Sequence, residues 1–174
     1  HDTGRRSYYI LGKGAPGVKV MRTGGTNNTV TLTTSSSAQI TIHWGDGSTT
    51  NKTGADQVSA HTYTDGITGH SIWIENGETL TLLYCYSNEL TSLTLPPELA
   101  SLNIVYCHTN GWSEAVVDDV LVDLLATVAA NPRAGTLQIH GTNAAPSVGT
   151  GCPAYCSLVN TYSWTCTITG SCSC

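Results

Sequence analysis

The sequence predicts a β-rich α+β fold, and three observations support this prediction. From residue 29 onwards, several segments alternate apolar and polar residues, as half-buried strands do. In the second half a short motif recurs at a spacing of 22 residues, and one stretch there has apolar residues at helical spacing. The predicted order is an N-terminal arm, a β segment and a short stack of repeats that ends in a disulfide-stapled cap.

Composition predicts an extracellular or cell-surface protein without membrane insertion. Charged residues make up only 11% of the 174 residues, a fraction typical of secreted and appendage proteins. Five of the seven cysteines follow Gly151, which favours an oxidising compartment. No run reaches the roughly 18 apolar residues that span a bilayer. Because the chain begins with His1 rather than Met, we expect that an N-terminal segment has been removed.

Residues 1–26 are predicted to form a basic, glycine-rich arm. The first 22 residues hold five of the seven Lys and Arg residues, whereas ten carboxylates and one base follow Thr53. Two interpretations stay open: solvated surfaces, or an arm that docks on the acidic body of another copy. The second makes Arg5, Arg6, Tyr8 and Tyr9 candidate assembly residues. Nucleic acid is not a predicted partner, because the body is acidic.

Residues 27–78 are predicted to form a β segment. Val30 and Leu32 alternate with threonines, and the stretch from Ile40 to Trp44 continues the alternation. After the turn at 44–48 we expect a polar loop as far as His61, and then a strand at 71–74 that ends at the Asn76-Gly77 turn.

Part of this segment resembles a known domain family. Trp44-Gly45-Asp46-Gly47-Ser48 followed by His61-Thr62-Tyr63 is similar to the signature of polycystic-kidney-disease (PKD) type β-sandwich domains. The likeness covers about 45 residues, and residues 65–69 depart from the family pattern. It implies a β-sandwich-like segment in which Asp46 braces the turn and has no catalytic role.

Residues 79–174 are predicted to form a stack of repeats. Leu82 to Asn88 and Ile104 to Asn110 superimpose at a spacing of 22 residues, and we call each such repeat a rung. Leu137 to Asn143 suggests a third rung, in which Leu137 matches Leu82 and Asn143 matches Asn88. The first copy fits the L-x-C-x-x-N-x-L-x-x-L pattern of bacterial or phage surface leucine-rich repeats. That resemblance implies that Leu83 and Cys85 face a continuous core and that Asn88 bonds exposed backbone groups.

A helix is predicted at 114–130, with Ser113 as its N-cap and Asn131-Pro132 at its end. A further helix and strand between Ala154 and Ile168 should close the stack. The cysteines expected to staple this cap leave the pairing open, and one of the five must pair elsewhere or stay free: Cys152, Cys156, Cys166, Cys172 and Cys174.

Strand parity alone does not show which face of the first repeat is buried. Leu82, Tyr84 and Tyr86 share one face, and Leu83 and Cys85 share the other, but a strand with one buried face cannot bury both sets. The repeat pattern assigns Leu82, Ile104, Tyr84, Tyr86, Tyr106 and His108 to the outer face, as a candidate binding or assembly surface. The alternative is that the arm or β segment covers this face within the same chain. On the helix we expect Asp118, Asp119 and Asp123 to face solvent and to add an acidic docking surface.

The motifs indicate no enzyme, no cofactor and no metal site. A copper site at His1 would need a second histidine in a family motif, and none is present. Asp119 and Asp123 supply two carboxylates, fewer than calcium requires. Asn27 and Asn51 begin N-glycosylation sequons, which makes them candidate glycosylation sites.

The predicted function is therefore a non-catalytic extracellular structural protein, a self-assembling surface or filament subunit whose partners are other copies of itself. The alternative is a monomeric adhesion module that binds glycan or host-surface protein through the tyrosine face.

Overall fold

The computed structural model describes residues 18–23, 28–67 and 69–174, and for residues 18–23 it describes the backbone alone. These residues form one mixed sheet and two α-helices, a β-rich α+β fold as predicted. The strands are β1 (Val18–Thr23), β2 (Thr29–His43), β3 (Thr49–Thr62), β4 (Gly69–Glu75), β5 (Leu80–Tyr84), β6 (Leu90–Thr94), β7 (Ile104–Tyr106), β8 (Thr136–Gln138) and β9 (Thr165–Thr167). The helices are α1 (Glu114–Ala130) and α2 (Gly151–Tyr162).

A single sheet runs through the described residues in the order β6-β1-β4-β2-β5-β7-β8-β9, and β3 pairs with β2. Pairings among β1 to β6 are antiparallel, whereas β5, β7, β8 and β9 are parallel neighbours. Strand β2 pairs with both β4 and β5, so the sheet crosses the predicted boundary at residue 78 without a break.

Strands β2 and β3 form a long hairpin, which corrects the predicted polar loop after Ser48. Thr49–Thr62 is a strand that pairs with β2 from Thr29↔Thr62 to His43↔Thr49, with register shifts between Thr34 and Ile40. The segment reads as a loop because both of its faces are mostly polar, and only Ser59 is buried. The turn requires glycine at residue 45, where φ is +88° and a Cβ would lie 2.6 Å from the Ser71 carbonyl oxygen.

Strand β1, part of the predicted arm, lies between β4 and β6. Val20 is opposite Ile72 on β4 and Leu93 on β6, and the chain is antiparallel to both neighbours. Strand β6 contains Leu90 and Leu93, the last two leucines of the repeat pattern in the first copy. No local sequence pattern predicts that β1 pairs with β4 and β6, because these segments lie about 50 and 70 residues from β1 along the chain.

The four parallel strands place Leu83, Val105, Leu137 and Cys166 in one row. This register corrects the predicted frame of the third rung by one residue: Leu137 matches Leu83 rather than Leu82. Rung three has one more residue than the others between this row and its asparagine, since Asn143 follows Leu137 by six positions and Asn88 follows Leu83 by five. Gly141, with φ +82°, lies within that longer turn.

Three buried asparagines connect the rungs just beyond the strands. Asn110 Oδ1 accepts hydrogen bonds from the backbone N–H groups of Asn88 (3.0 Å) and Leu90 (3.2 Å), and its Nδ2 donates to the Cys85 and Cys107 carbonyls. Asn143 repeats the arrangement one rung further, where it accepts from the N–H groups of Asn110 and Trp112. Each rung is therefore fastened to the next through an amide side chain.

Helix α1 coincides with the predicted segment, and its apolar face is fully buried through Val117, Val120, Leu121, Leu124 and Val128. Ser113 occupies the N-cap position without a side-chain hydrogen bond there. The predicted closing unit is formed by α2 and β9, and Leu158 and Trp164 join the same apolar core.

Candidate functional site

Aromatic side chains stack across the outer face of the parallel strands. We call Tyr84, Tyr86, Tyr106, His108 and His140 the aromatic ladder. Tyr84 stacks on Tyr106 with ring centroids 4.4 Å apart, Tyr86 on His108 at 4.6 Å, and His108 on His140 at 4.9 Å. The ring planes of these three pairs deviate from parallel by 7°, 6° and 11°, respectively.

Sequence reasoning missed His140, because the shifted frame placed it at an inward position. In the observed register it follows Tyr86 and His108 in one row. Leu82 shares a face with the tyrosines, as predicted, but the expectation that it is exposed is wrong, since it is only 6% exposed. Leu82 lies between Ser35 of β2 and Ile104 of β7, so neighbouring strands flank it on both sides.

Each ring of the ladder is partly covered because it stacks on a neighbouring ring. Burial, with a contribution from the neighbouring Tyr106, raises the pKa of Tyr84. Burial and the nearby His140 lower the pKa of His108, which favours the neutral form of this ring. A sugar ring binds an aromatic side chain through an open face, and each stacked contact covers one face of both rings that it joins. Tyr86, 43% exposed, stacks on His108 and offers the most accessible ring of the ladder.

A second cluster surrounds the turn between β2 and β3. Asp46 accepts hydrogen bonds from Ser48 N (2.9 Å), Ser48 Oγ (2.6 Å) and His61 Nε2 (2.7 Å). His61 stacks on Trp44 at 4.9 Å, and the Tyr63 hydroxyl donates to the Trp44 carbonyl at 2.7 Å. Burial alone would raise the pKa of Asp46, but the hydrogen bonds from Ser48 and His61 outweigh it and hold this pKa well below its ordinary value.

These residue types are those of a hydrolytic triad, but their geometry differs from one. A triad histidine uses one ring nitrogen for the carboxylate and the other for the nucleophile. Here His61 Nε2 alone faces both groups, 2.7 Å from Asp46 and 3.4 Å from Ser48 Oγ. Ser48 donates its proton to Asp46 instead. The arrangement holds the turn against the end of β3.

The acidic docking surface expected on α1 is reduced by two contacts. Asp118 is 8% exposed, and the expectation that it faces solvent is wrong, because it accepts hydrogen bonds from the backbone N–H and hydroxyl of Ser147. Asp123 is half-buried and accepts from Leu95 N at 3.1 Å, and burial raises its pKa. Asp119 is exposed as predicted. Sequence spacing placed these residues on the helix without showing which loops pack against it.

Four of the five C-terminal cysteines form disulfides, Cys152 with Cys172 and Cys156 with Cys174. Both bonds tie α2 to the end of the chain. Cys166 is free and half-buried, and Cys85 and Cys107 are free in the core. Burial raises the pKa of Cys85 and of Cys166 to about 12.

The remaining candidates divide between exposed and undescribed positions. Asn51 is exposed on β3. Arg5, Arg6, Tyr8, Tyr9, Asn27 and His1 lie outside the described residues. Within residues 18–23, 28–67 and 69–174, no group of three or more His, Cys, Asp or Glu side chains could hold a metal ion. None of the helices in that part of the chain is long and apolar enough to cross a membrane.

Comparison of the chain with protein-family models, with curated proteins and with solved structures found no match.

Proposed function

We propose that this chain is a non-catalytic, extracellular structural subunit that assembles with copies of itself into a filament or surface layer. The observation that carries the proposal is the place of β1. A strand from the basic N-terminal arm lies between β4 and β6 of its own chain and pairs with each of them, so the sheet has a position that the arm of another copy could fill. An arm that adds a strand to a sheet is a general means of joining protein chains through backbone hydrogen bonds.

The charge distribution supports association between copies. Five Lys and Arg residues precede Thr23, with one carboxylate among them, and ten carboxylates and one base follow Thr53. Complementary charges speed encounters between the arm of one copy and the body of another, and like charges disfavour contacts of body with body. The two disulfides fit an extracellular location.

Two family resemblances belong to the proposal. Parallel strands in register, a 22-residue spacing and asparagines that bond successive rungs support a short leucine-rich-repeat stack. The bonds of Asp46 to Ser48 and His61, with His61 stacked on Trp44, support a PKD-like β segment. Proteins that resemble this combination of modules are cell-surface, phage-surface or appendage components.

The alternative function is a monomeric adhesion module that binds glycan or host-surface protein. Tyr86 favours it, because its ring is 43% exposed at the end of a row of stacked rings. We rank it second, since the other rings of the ladder that could contact a sugar face are stacked on each other.

Negative-stain electron microscopy of native, never-denatured protein tests the proposal. We expect regular fibres or sheets, and the variant Tyr86→Ala should form the same assemblies because the aromatic ring takes no part in strand addition. Dispersed particles near 18.3 kDa would contradict self-assembly. A glycan-array signal that the wild type shows and Tyr86→Ala loses would then establish the alternative.

A further inference from the structure

Strand β1 is held by segments that lie far from it along the chain. Lys19 is opposite Trp73 on β4 and Thr94 on β6, and Val20 is opposite Ile72 and Leu93. Backbone pairing of this kind depends on the position of the strand and on its direction. It does not depend on how the strand is connected to the rest of the molecule.

The position between β4 and β6, which we call the slot, has to be filled for the sheet to be complete. The side chains of Ile72, Ile74, Leu90 and Leu93 on its two walls are at most 2% exposed. Removal of β1 would leave two strand edges unpaired and would take away the backbone beside these apolar residues. The folded protein therefore needs a strand in the slot, either its own or that of another copy.

The donor and the acceptor are different parts of the molecule. The donor is next to the N-terminal residues, and the walls of the slot are formed by residues 69–75 and 90–94. A contact between unlike surfaces repeats from copy to copy, and it gives an open chain unless the rotation between copies closes a ring. Exchange of an identical element needs no new interface and costs little free energy.

We infer that Val18–Thr23 of one copy fills the slot between β4 and β6 of the next copy in the assembly. This inference rests on the proposed function, and it specifies the contact that joins the subunits. In the structure β1 fills the slot of its own chain, and a second copy can supply the same strand in the same register. The basic residues that precede Thr23 then bring positive charge to the acidic body of the neighbour.

Cysteine cross-linking distinguishes exchange from pairing within one chain. Met21 lies directly opposite Ser71 in the β1–β4 register, and Cβ atoms at such positions are about 4.5–5.5 Å apart, close to disulfide geometry. The variant Met21→Cys/Ser71→Cys, made in a Cys166→Ser background, is oxidised after assembly and run on a non-reducing denaturing gel. Strand exchange between copies gives a series of bands at multiples of 18.3 kDa, whereas pairing of β1 within one chain gives a monomer band.

The chain offers a matched control and a second reporter. Thr31→Cys/Ala60→Cys joins β2 to β3 within the hairpin, and it should give only a monomer band with an internal disulfide. Lys19→Cys/Thr94→Cys tests the pairing of β1 with the other wall of the slot, on β6. This variant replaces Met21→Cys/Ser71→Cys if that pair does not form a disulfide. A mixture of the single variants Met21→Cys and Ser71→Cys should give linked dimers only if the strand of one copy reaches the slot of another.

The gel and the microscope together separate the two proposals. Fibres with linked multimers support both. Fibres in which both cysteine pairs close within one chain would overturn strand exchange and leave self-assembly standing through another surface. Dispersed particles with internal disulfides only would overturn both. Dispersed particles with linked dimers would support exchange in a closed pair and contradict the filament.

Discussion

Asn110 bonds four backbone groups with one buried amide side chain. It is 8% exposed and joins Asn88 and Leu90 on one side to Cys85 and Cys107 on the other. An unpaired buried backbone group costs about 1–3 kcal/mol. We expect Asn110→Ala to lower the free energy of unfolding by about 3 kcal/mol or more, as measured by urea denaturation.

Asn103→Ala is the matched control, because Asn103 is an exposed asparagine just before β7. A surface change of this kind usually alters the stability by less than about 0.5 kcal/mol. Equal losses of stability for Asn103→Ala and Asn110→Ala would contradict a specific bracing role for the buried amide.

Asp46 links stability to pH. Its pKa lies well below the ordinary value because Ser48 and His61 donate hydrogen bonds to the carboxylate. A carboxyl group with a lowered pKa stabilises the fold above its unfolded pKa, about 3.9, and this contribution is lost as the pH falls through the folded value. We expect Asp46→Asn to cost about 1–2 kcal/mol at pH 7. The difference from the wild type should shrink below pH 4.

Denaturation series at pH 7, 5, 4 and 3 measure this effect. Glu98→Gln removes an exposed carboxylate from the loop after β6 and provides the control. If Asp46→Asn and the wild type lost stability in parallel between pH 4 and pH 3, the carboxylate would not be the group that titrates with folding.

At the scale of elements, periodicity identified the segments that carry their own pattern. Helix α1 was predictable because apolar residues recur along it at helical spacing, and the first two rungs were predictable because their motifs are alike. Strand β3 was not, since a strand with two polar faces has no apolar alternation. The position of β1 in the sheet was also not predictable, because strand order depends on contacts between segments that are distant along the chain. In the candidate site, the repeat pattern and strand parity together predicted the face of Tyr84, Tyr86 and Tyr106, whereas the position of His140 depends on a one-residue change in rung length.

The C-terminal cap gives a prediction for one element. The two disulfides close loops with sequence separations of 20 and 18 residues between α2 and the end of the chain. Loops of this length contribute about 2–4 kcal/mol each when considered singly. We expect reduction to increase hydrogen exchange first in α2 and β9, while the backbone amides of β5 and β7 stay protected.

Hydrogen exchange with mass spectrometry, before and after mild reduction, measures this order. Cys166→Ser should not change the hydrogen-exchange rates of α2 and β9 in the oxidised protein, because Cys166 forms no disulfide. Simultaneous loss of protection in β5, β7 and α2 would show that the cap and the rungs unfold as one cooperative unit.

At the scale of the whole molecule, one sheet connects the N-terminal strand with the C-terminal cap. The apolar core is correspondingly continuous: Trp44 beside the first turn and Trp164 beside β9 belong to the same buried cluster. The charges are divided differently, with bases at the start of the chain and carboxylates in the body.

This division of charge predicts that assembly depends on salt. The screening length falls from about 10 Å at 0.1 M to about 3 Å at 1 M ionic strength. We expect the rate of assembly, followed by light scattering, to fall as sodium chloride is raised over that range. Arg5→Glu/Arg6→Glu should slow assembly at low salt and remove most of the salt dependence, and Lys52→Glu, outside the arm, is the control.

If wild-type assembly were equally fast at both salt concentrations, the arm and body charges would not guide the encounter. The cross-linking result would be unaffected, because it reports where the strand lies after association.

The position of β1 also determines how a joint between subunits would respond to tension. The strand is antiparallel to β4 and to β6, so hydrogen bonds lie along both of its edges and point across its axis. A pull along that axis loads these bonds together in shear, whereas a sideways pull would open them one after another. An assembly joined through β1 would therefore resist stretching along the strand far better than peeling across it.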